Sequence, residues 1–320
     1  MASPNLPKTM RAVLQPDKNS HKLTMSEIPV PVPTHAEDVL VKVHATAPCK
    51  GELDWALWAP EFIGDDKISI PGQDLAGIVV SAPAAGGFKP GDEVYARIEA
   101  NRPGAAAEYT LARVSELAIR PKNLGWPETA ATPISALTAY HNAKLRVLIT
   151  AGAGAVGSWA VQLARVAGAA AVVAVVGSKN EGFVRELGAT ETIDYTKQSI
   201  GDWVAADAAS RPVDLVFDCI GGSSLAQSWY AVKESGKLVS VCSEPEKSRP
   251  SDVTKTVRSL WFVITPLGKH LAAITALLEA GKLKPSIDSV LDFAHFAEAW
   301  DKAELGRPRG KVIVKVSDEA

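Results

Sequence analysis

The chain has 320 residues, enough for about two domains at roughly 150 residues each. Hydrophobic residues at 47% and charged residues at 22% give an ordinary globular balance that can fill separate cores. Lys plus Arg is 34 against 36 for Asp plus Glu, and a net charge of −2 gives no electrostatic case for nucleic acid or an anionic membrane as partner.

The first third reads as β-rich. Residues 10–14 and 39–45 carry alternating or β-branched apolar side chains, and Pro29, Pro31 and Pro33 form an extended connector between them. In Phe88-Lys89-Pro90-Gly91-Asp92-Glu93-Val94 the Pro presets φ and the Gly accepts a positive φ, which predicts a type II turn between strands. Short strands at this spacing predict a small barrel-like β domain.

The character changes near residue 125. Trp126 to Ala131 opens an Ala-rich, helix-prone stretch, and strands and helices then alternate. Strands are predicted at 146–150, 171–176, 190–194, 213–219 and 237–242, with helices at 156–167, 180–187 and 224–232 between them. Such alternation predicts a doubly wound parallel sheet with helices on both faces. An amphipathic helix follows at 268–280, and a closing strand at 310–316 has the pattern to rejoin the first domain. The fold class is therefore α/β, with a β-rich domain over 1–127 and 266–320 and an inserted doubly wound parallel-sheet domain over 128–265.

Cys49, Cys219 and Cys242 are far apart, odd in number and without CxxC spacing, so thiols in a reducing compartment are expected rather than a disulfide framework. The first residues lack an apolar core of the signal-peptide kind, and the longest apolar run, 167–177, is too short to span a bilayer. The C-terminal VSDEA matches no address signal, and the expected location is cytoplasmic.

The segment AGAGAVG (151–157) runs out of the strand RVLIT and into a helix, so Gly152, Gly154 and Gly157 stand in the context that a dinucleotide fingerprint requires. Gly152 permits the tight turn, Gly154 lets a diphosphate approach the backbone, and Gly157 lets the helix pack on the strand. The amides of Ala155 and Val156 would then face the phosphate at the positive end of the helix dipole. A close-packed helix–strand junction with no ligand would also call for small residues. At the end of the next strand an NAD site wants a carboxylate, but Val176-Gly177-Ser178-Lys179-Asn180 offers a hydroxyl and an ammonium. These suit a 2′-phosphate, so NADPH is the expected cofactor.

Together these segments resemble the medium-chain dehydrogenase/reductase superfamily, in its zinc-independent quinone oxidoreductase and enoyl reductase branch, and CKGELDW points to the fungal-type subgroup. The likeness covers nearly the whole chain, through MRAVLQ (10–15), IPGQDLAGIVVSA (70–82), FKPGDEVYA (88–96), RVLITAGAGAVGSWAVQLAR (146–165), VDLVFDCIGG (213–222) and GRPRGKVIVKV (306–316). It implies a GroES-like β-rich catalytic domain beside the Rossmann domain. Thr138 matches the position near the nicotinamide, and Ser178, Lys179, Asn180 and Tyr195 match the pocket around the adenosine 2′-phosphate. Cys219, Ile220 and Gly221 match the strand end facing the nicotinamide ribose, Phe262 and Val263 the backbone holding the carboxamide, and Lys311 a residue near the cofactor. The segment 49–55 matches the lining of nicotinamide and substrate, which places Lys50 with the cofactor and Cys49, Glu52, Trp55 and Trp58 with the substrate. Here the chain has Cys49-Lys50-Gly51-Glu52 where the branch usually has Asn-Pro before an acid, and its connector over 141–146 is short.

Zinc alcohol dehydrogenases place a ligand Cys at the position of Cys49, a His in a Gly-His-Glu motif and a further Cys. This chain has Gly72-Gln73-Asp74 and Thr132-Pro133-Ile134 at those places, so one ligand remains where three are needed and no metal is expected. Hydride transfer from NADPH then calls for an acceptor that needs no Lewis acid, a quinone or an α,β-unsaturated carbonyl (enone). Tyr140 is the candidate proton donor and Tyr109 a weaker one, each set against ordinary partial burial. Trp55, Trp58 and Phe62 are candidates for an aromatic wall, or for packing under a loop. His44, His141, His270 and His295 show no paired spacing and are expected to be structural or exposed. Two other readings stay open: a trans-acting enoyl reductase of a biosynthetic synthase, and an NADPH-binding sensor or structural protein with little turnover. The resemblance also leaves room for a homodimer through the edge of the inserted sheet.

Overall fold

The computed structural model describes residues 6–58, 60, 68–139 and 145–317. The chain forms two compact units, Met1–Leu137 with Thr265–Ala320, and Thr138–Ile264. The expected boundaries were 127/128 and 265/266. Residues 128–137 fall with the first unit for a physical reason. Trp126 stacks on His44 at 4.3 Å between ring centroids, and the Ile134 amide donates to Asp74 Oδ1 at 2.7 Å.

In the first unit, β1 (Thr9–Leu14) pairs antiparallel with β2 (Thr24–Pro29). The larger sheet is built around β3 (Asp38–Ala47), whose DVLVKVHATA is buried at all but one position. Its neighbours are β4 (Asp74–Ser81) and the late strand β15 (Lys311–Lys315), and the path continues to β5 (Glu93–Arg97) and β7 (Leu117–Ile119) on one side and to β14 (Ile287–Asp292) on the other. β6 (Tyr109–Arg113) also pairs with β3. The closing strand thus rejoins the first unit as its sequence pattern implied. Val39, Val41, Val43, Leu75, Val79, Val94 and Val314 fill the core with Trp300 and Phe293. Each fully buried aliphatic there contributes about 1.5–3 kcal/mol of transfer free energy. The turn at Lys89–Asp92 is type II, with Gly91 at φ 92° and the Asp92 amide donating to Lys89 O at 3.1 Å.

The second unit is an all-parallel sheet in the order β10-β9-β8-β11-β12-β13, formed by β8 (Arg146–Ile149), β9 (Ala171–Val176), β10 (Glu191–Asp194), β11 (Val213–Asp218), β12 (Val232–Ser240) and β13 (Arg258–Trp261). Every residue of AVVAVV in β9 is buried, as expected of a strand covered on both faces. The winding reverses between β8 and β11, and ligands of doubly wound sheets bind outside the strand C-termini at that reversal. Helices α1 (Ala155–Val166), α2 (Glu181–Leu187), α3 (Ile200–Ala205) and α4 (Gly222–Ala231) connect the strands. α2 stops at Gly188, in the left-handed region at φ 118°.

Candidate active site

The glycine turn lies at the reversal point, after β8 and at the head of α1. Its three glycines do different jobs. A Cβ on Gly157 would lie 2.2 Å from Ala151 O and 2.9 Å from Gly152 Cα, so the helix sits directly on the backbone of the turn. A Cβ on Gly152 would lie 2.9 Å from Ala174 Cβ in β9. A Cβ on Gly154 would meet only Ala151, at 3.2 Å from its O and 4.0 Å from its Cβ, and otherwise open space. Packing therefore explains the first and third glycines and leaves the middle one unexplained. Gly154 is the N-cap of α1 with φ −76° and ψ 179°, a backbone that any residue adopts. The first-turn amides of α1 have no intrahelical acceptor and carry the positive end of the dipole.

The ends of β8, β11 and β12 are tied together by Asp218, which is fully buried. Its Oδ1 accepts from Thr150 Oγ1 at 2.8 Å, and its Oδ2 accepts from Ser240 Oγ at 2.8 Å and from the Gly221 amide at 2.9 Å. The Cys219 amide donates to Thr150 Oγ1 at 2.8 Å. One carboxylate thus fixes the turn Cys219-Ile220-Gly221, in which Gly221 takes φ 72°. Ile220 is exposed and Cys219 half-buried. The Phe262 amide reaches back to Ser240 O at 3.4 Å, and Val263 beside it is exposed. Asp218, Thr150 and Ser240 were not singled out from the sequence; the Asp at the end of an apolar strand was the available signal.

At the ends of β9 and β10, Ser178 and Lys179 are exposed and Asn180 is half-buried. The Tyr195 ring lies over Gly177, with its hydroxyl 3.4 Å from the position of a Cβ there, and is 66% exposed. Asp194 is the residue missed here. It accepts from Ser178 Oγ, from Thr196 Oγ1 at 2.7 Å and from the Thr196 amide at 3.0 Å, and it pairs with Lys197 at 2.9 Å. The Ser178 and Thr196 hydroxyls, with Lys197, hold its carboxyl well below the usual range. This region therefore has two lysines, three hydroxyls and a carboxylate already engaged.

In the first unit, the segment after β3 is held by Glu52. Its Oε1 accepts from the amides of Gly72 at 2.5 Å and Gln73 at 3.2 Å, and its Oε2 from the Cys49 amide at 3.0 Å. Gly72 must be glycine: φ is 87°, and a Cβ would lie 2.5 Å from Thr46 Oγ1. Lys311 is buried, with Nζ 3.1 Å from Asp74 Oδ2. Burial disfavours its charge, but Asp74, Cys49 and Glu52 outweigh that and push the ammonium further toward protonation. Cys49 is half-buried by exposure, and burial of its thiol pushes it up to about 11. Lys50 lies over Gly306, Trp55 is half-buried, and Thr138, at the start of the second unit, is buried. Tyr109 lies in β6, where burial pushes its hydroxyl up. Tyr140, His141, Phe62 and the side chain of Trp58 lie outside the described residues.

The positions expected to hold the other two zinc ligands carry no imidazole or thiolate. Gln73 is buried, its amide beside the carbonyls of Ile98 and Glu99, and Ile134 has only an apolar side chain. Among the described residues no three His, Cys, Asp or Glu side chains group to hold a metal ion. No helix among them is long and apolar enough to cross a membrane.

Comparison with known proteins places this geometry. Residues 35–126 match the family described as alcohol dehydrogenase GroES-like domain, and residues 187–314 the family described as zinc-binding dehydrogenase. The chain is 43% identical to the "Probable zinc-binding oxidoreductase, mitochondrial" of Arthroderma benhamiae, over 98% of each chain. It is 33% identical to the "NADPH-dependent alkenal/one oxidoreductase, chloroplastic" of Arabidopsis thaliana, over 98% of this chain and 81% of that one. Among solved structures, the quinone oxidoreductase from Coxiella burnetii superposes with a TM-score of 0.81 at 26% identity, over 97% of this chain and all of that one. The names of the first two place those relatives in organelles, against the cytoplasmic expectation for this chain. The chain is accordingly an oxidoreductase of the medium-chain dehydrogenase/reductase superfamily, in its quinone oxidoreductase branch, whose members bind nicotinamide cofactors.

Proposed function

We propose that the chain reduces a quinone or an α,β-unsaturated carbonyl with NADPH and without a metal ion. The observation that carries the cofactor is the open space beside Gly154, between two glycines whose Cβ directions are filled. The amides of Ala155 and Val156 bind the diphosphate there, at the positive end of α1. Lys179 and Tyr195, with Ser178 and Asn180, receive the 2′-phosphate. When the Ser178 hydroxyl turns from Asp194 to that phosphate, Thr196 and Lys197 still engage the carboxylate. Cys219, Ile220 and Gly221 orient the nicotinamide ribose, the backbone of Phe262 and Val263 holds the carboxamide, and Thr138 lies near the ring. When bound, NADPH supplies the hydride.

Within the first unit, Glu52 fixes the segment Cys49–Trp55 in place, and the buried Lys311 is paired with Asp74. Gln73 and Ile134 offer no imidazole or thiolate to join Cys49 in holding a zinc, so activation of a simple alcohol toward ionisation is not expected. A conjugated acceptor needs no such help, because an enolate or quinol anion spreads the charge it receives. Water or the Tyr140 hydroxyl then gives the proton. The Arabidopsis relative's name, which specifies NADPH and alkenals or alkenones, supports both halves of this reading. We extend it to a homodimer through β13 at the sheet edge, where Leu260 and Trp261 are exposed.

The test is NADPH oxidation followed at 340 nm with a quinone and an alkenone, in chelator, beside a saturated ketone. Turnover of the conjugated acceptors alone is expected. Turnover that needs added zinc, or that favours a simple alcohol, overturns the proposal.

A further inference from the structure

Two of the three cysteines, Cys219 and Cys242, follow the ends of neighbouring strands β11 and β12. β11 and β12 are parallel neighbours whose last pair is Asp218 with Ser240, closed by the Val241 amide donating to Asp218 O at 3.1 Å. Cys219 and Cys242 leave the sheet from these adjacent ends. Neighbouring strands lie about 4.8 Å apart, within the range of Cα separations, roughly 4.4–6.8 Å, that a disulfide spans. The turn after Cys219 folds onto Cys242: a Cβ on Gly221 would lie 3.2 Å from Cys242 Cβ. The Cys242 amide is anchored to Ser240 Oγ at 3.1 Å and the Cys219 amide to Thr150 Oγ1 at 2.8 Å, so both backbones are held. Cys242 is exposed and Cys219 half-buried.

We propose that Cys242 and Cys219 form an oxidative modification site, in which a hydroperoxide converts the two thiols into a disulfide that closes the nicotinamide-ribose end of the cofactor site. The second part rests on the proposed function; the first does not. Burial, Asp218 and Cys242 push the Cys219 thiol up, which keeps it neutral and makes exposed Cys242 the first to react. The Cys242 sulfur takes oxygen from the hydroperoxide, becoming a sulfenic acid, and the peroxide is reduced to water or an alcohol. The Cys219 sulfur then attacks the Cys242 sulfur. The S–S bond forms, the S–O bond breaks, and the hydroxide leaves with the thiol proton as water. The cross-link draws the Cys219-Ile220-Gly221 turn toward β12 and away from the arrangement set by Asp218.

The experiment treats the full-length protein, without cofactor, with a small excess of hydrogen peroxide, and maps disulfides by mass spectrometry of a non-reducing digest. The expected product joins the Cys219 and Cys242 peptides within one chain, with loss of two hydrogens, and dithiothreitol reverses it. Cys242→Ser abolishes it and Cys49→Ser does not. Sulfinic acid at Cys242 with Cys219 still alkylatable, or a Cys242 link between two chains, overturns the proposal. NADPH affinity, read by fluorescence before and after oxidation, is expected to fall at least tenfold in the unsubstituted protein and to stay unchanged in Cys242→Ser. An unchanged affinity in fully cross-linked protein refutes the closing of the site. Reduced protein that binds no NADPH would instead refute the proposed function, and the digest would still decide the cross-link.

Discussion

Replacing Gly154 and Gly157 by alanine, one at a time, separates a phosphate cradle from a mere packing junction. At Gly157 the added methyl would lie 2.2 Å from Ala151 O and 2.8 Å from Ala151 C, both backbone, so either the helix head or the turn must move. Overpacking of this kind costs about 1–3 kcal/mol, partly offset by up to ~1 kcal/mol from the better helix propensity of Ala. The net loss is about 1–2 kcal/mol, or a Tm lowered by roughly 2–8 °C for a protein of this size. At Gly154 the methyl meets Ala151 O at 3.2 Å, which a small adjustment relieves, and φ of −76° suits alanine. Losing glycine at the N-cap and gaining a stiffer unfolded chain are opposed effects of at most ~1 kcal/mol each, so Tm should move by less than about 3 °C. Binding behaves oppositely. The methyl fills the space the diphosphate needs and displaces it from one or two charge-assisted hydrogen bonds worth about 1.5–3 kcal/mol each. NADPH affinity should therefore fall by at least roughly tenfold to a hundredfold. Differential scanning fluorimetry and NADPH fluorescence titration read the two effects. A Gly154→Ala protein that binds NADPH normally would refute the phosphate reading of the turn.

Other expectations follow from single side chains. Lys179→Ala should weaken NADPH about tenfold and leave NADH nearly unchanged, since one phosphate contact is lost; equal losses for both cofactors in competition titrations would remove Lys179 from the 2′-phosphate site. Cys49 should alkylate slowly at pH 8, with a rate that rises about tenfold per pH unit until near its raised value of about 11; a rate that levels off near pH 9 in peptide-resolved iodoacetamide labelling would contradict this. Lys311→Met leaves Asp74 buried beside a neutral side chain and should cost about 3–5 kcal/mol, whereas Lys311→Met combined with Asp74→Asn should recover much of it; denaturant melts of both decide.

Local signals carried most of the fold. The type II turn at Lys89–Asp92 follows from Pro90 and Gly91, and the six-residue run AVVAVV could only be a strand buried on both faces, since a helix of that length would be under two turns. The helix Ile200–Ala205 was missed although Ser199 and Asp202 form a capping box, because its apolar face is too short to show periodicity. The edge strand β13 was missed for a similar reason: four residues, three of them exposed, leave no alternation to read. The glycine turn between β8 and α1 was legible because its residues are contiguous. Asp218 was not, because its partners Thr150 and Ser240 lie 68 and 22 residues away in sequence and meet only through strand order. Glu52 read as a residue of the substrate segment; that three backbone amides occupy it depends on Gly72 and Gln73 folding back from β4.

The most direct measurement is the fate of the hydride. Metal-free protein is incubated with NADPH carrying deuterium at C4, on each face in turn, and an alkenone, and the product is weighed by mass spectrometry. For one of the two faces, deuterium on the β-carbon of the reduced alkenone is expected, with stoichiometric NADP formed. No deuterium in the product from either face, or transfer that appears only after zinc is restored, would contradict metal-free hydride delivery from a dinucleotide held at Gly154.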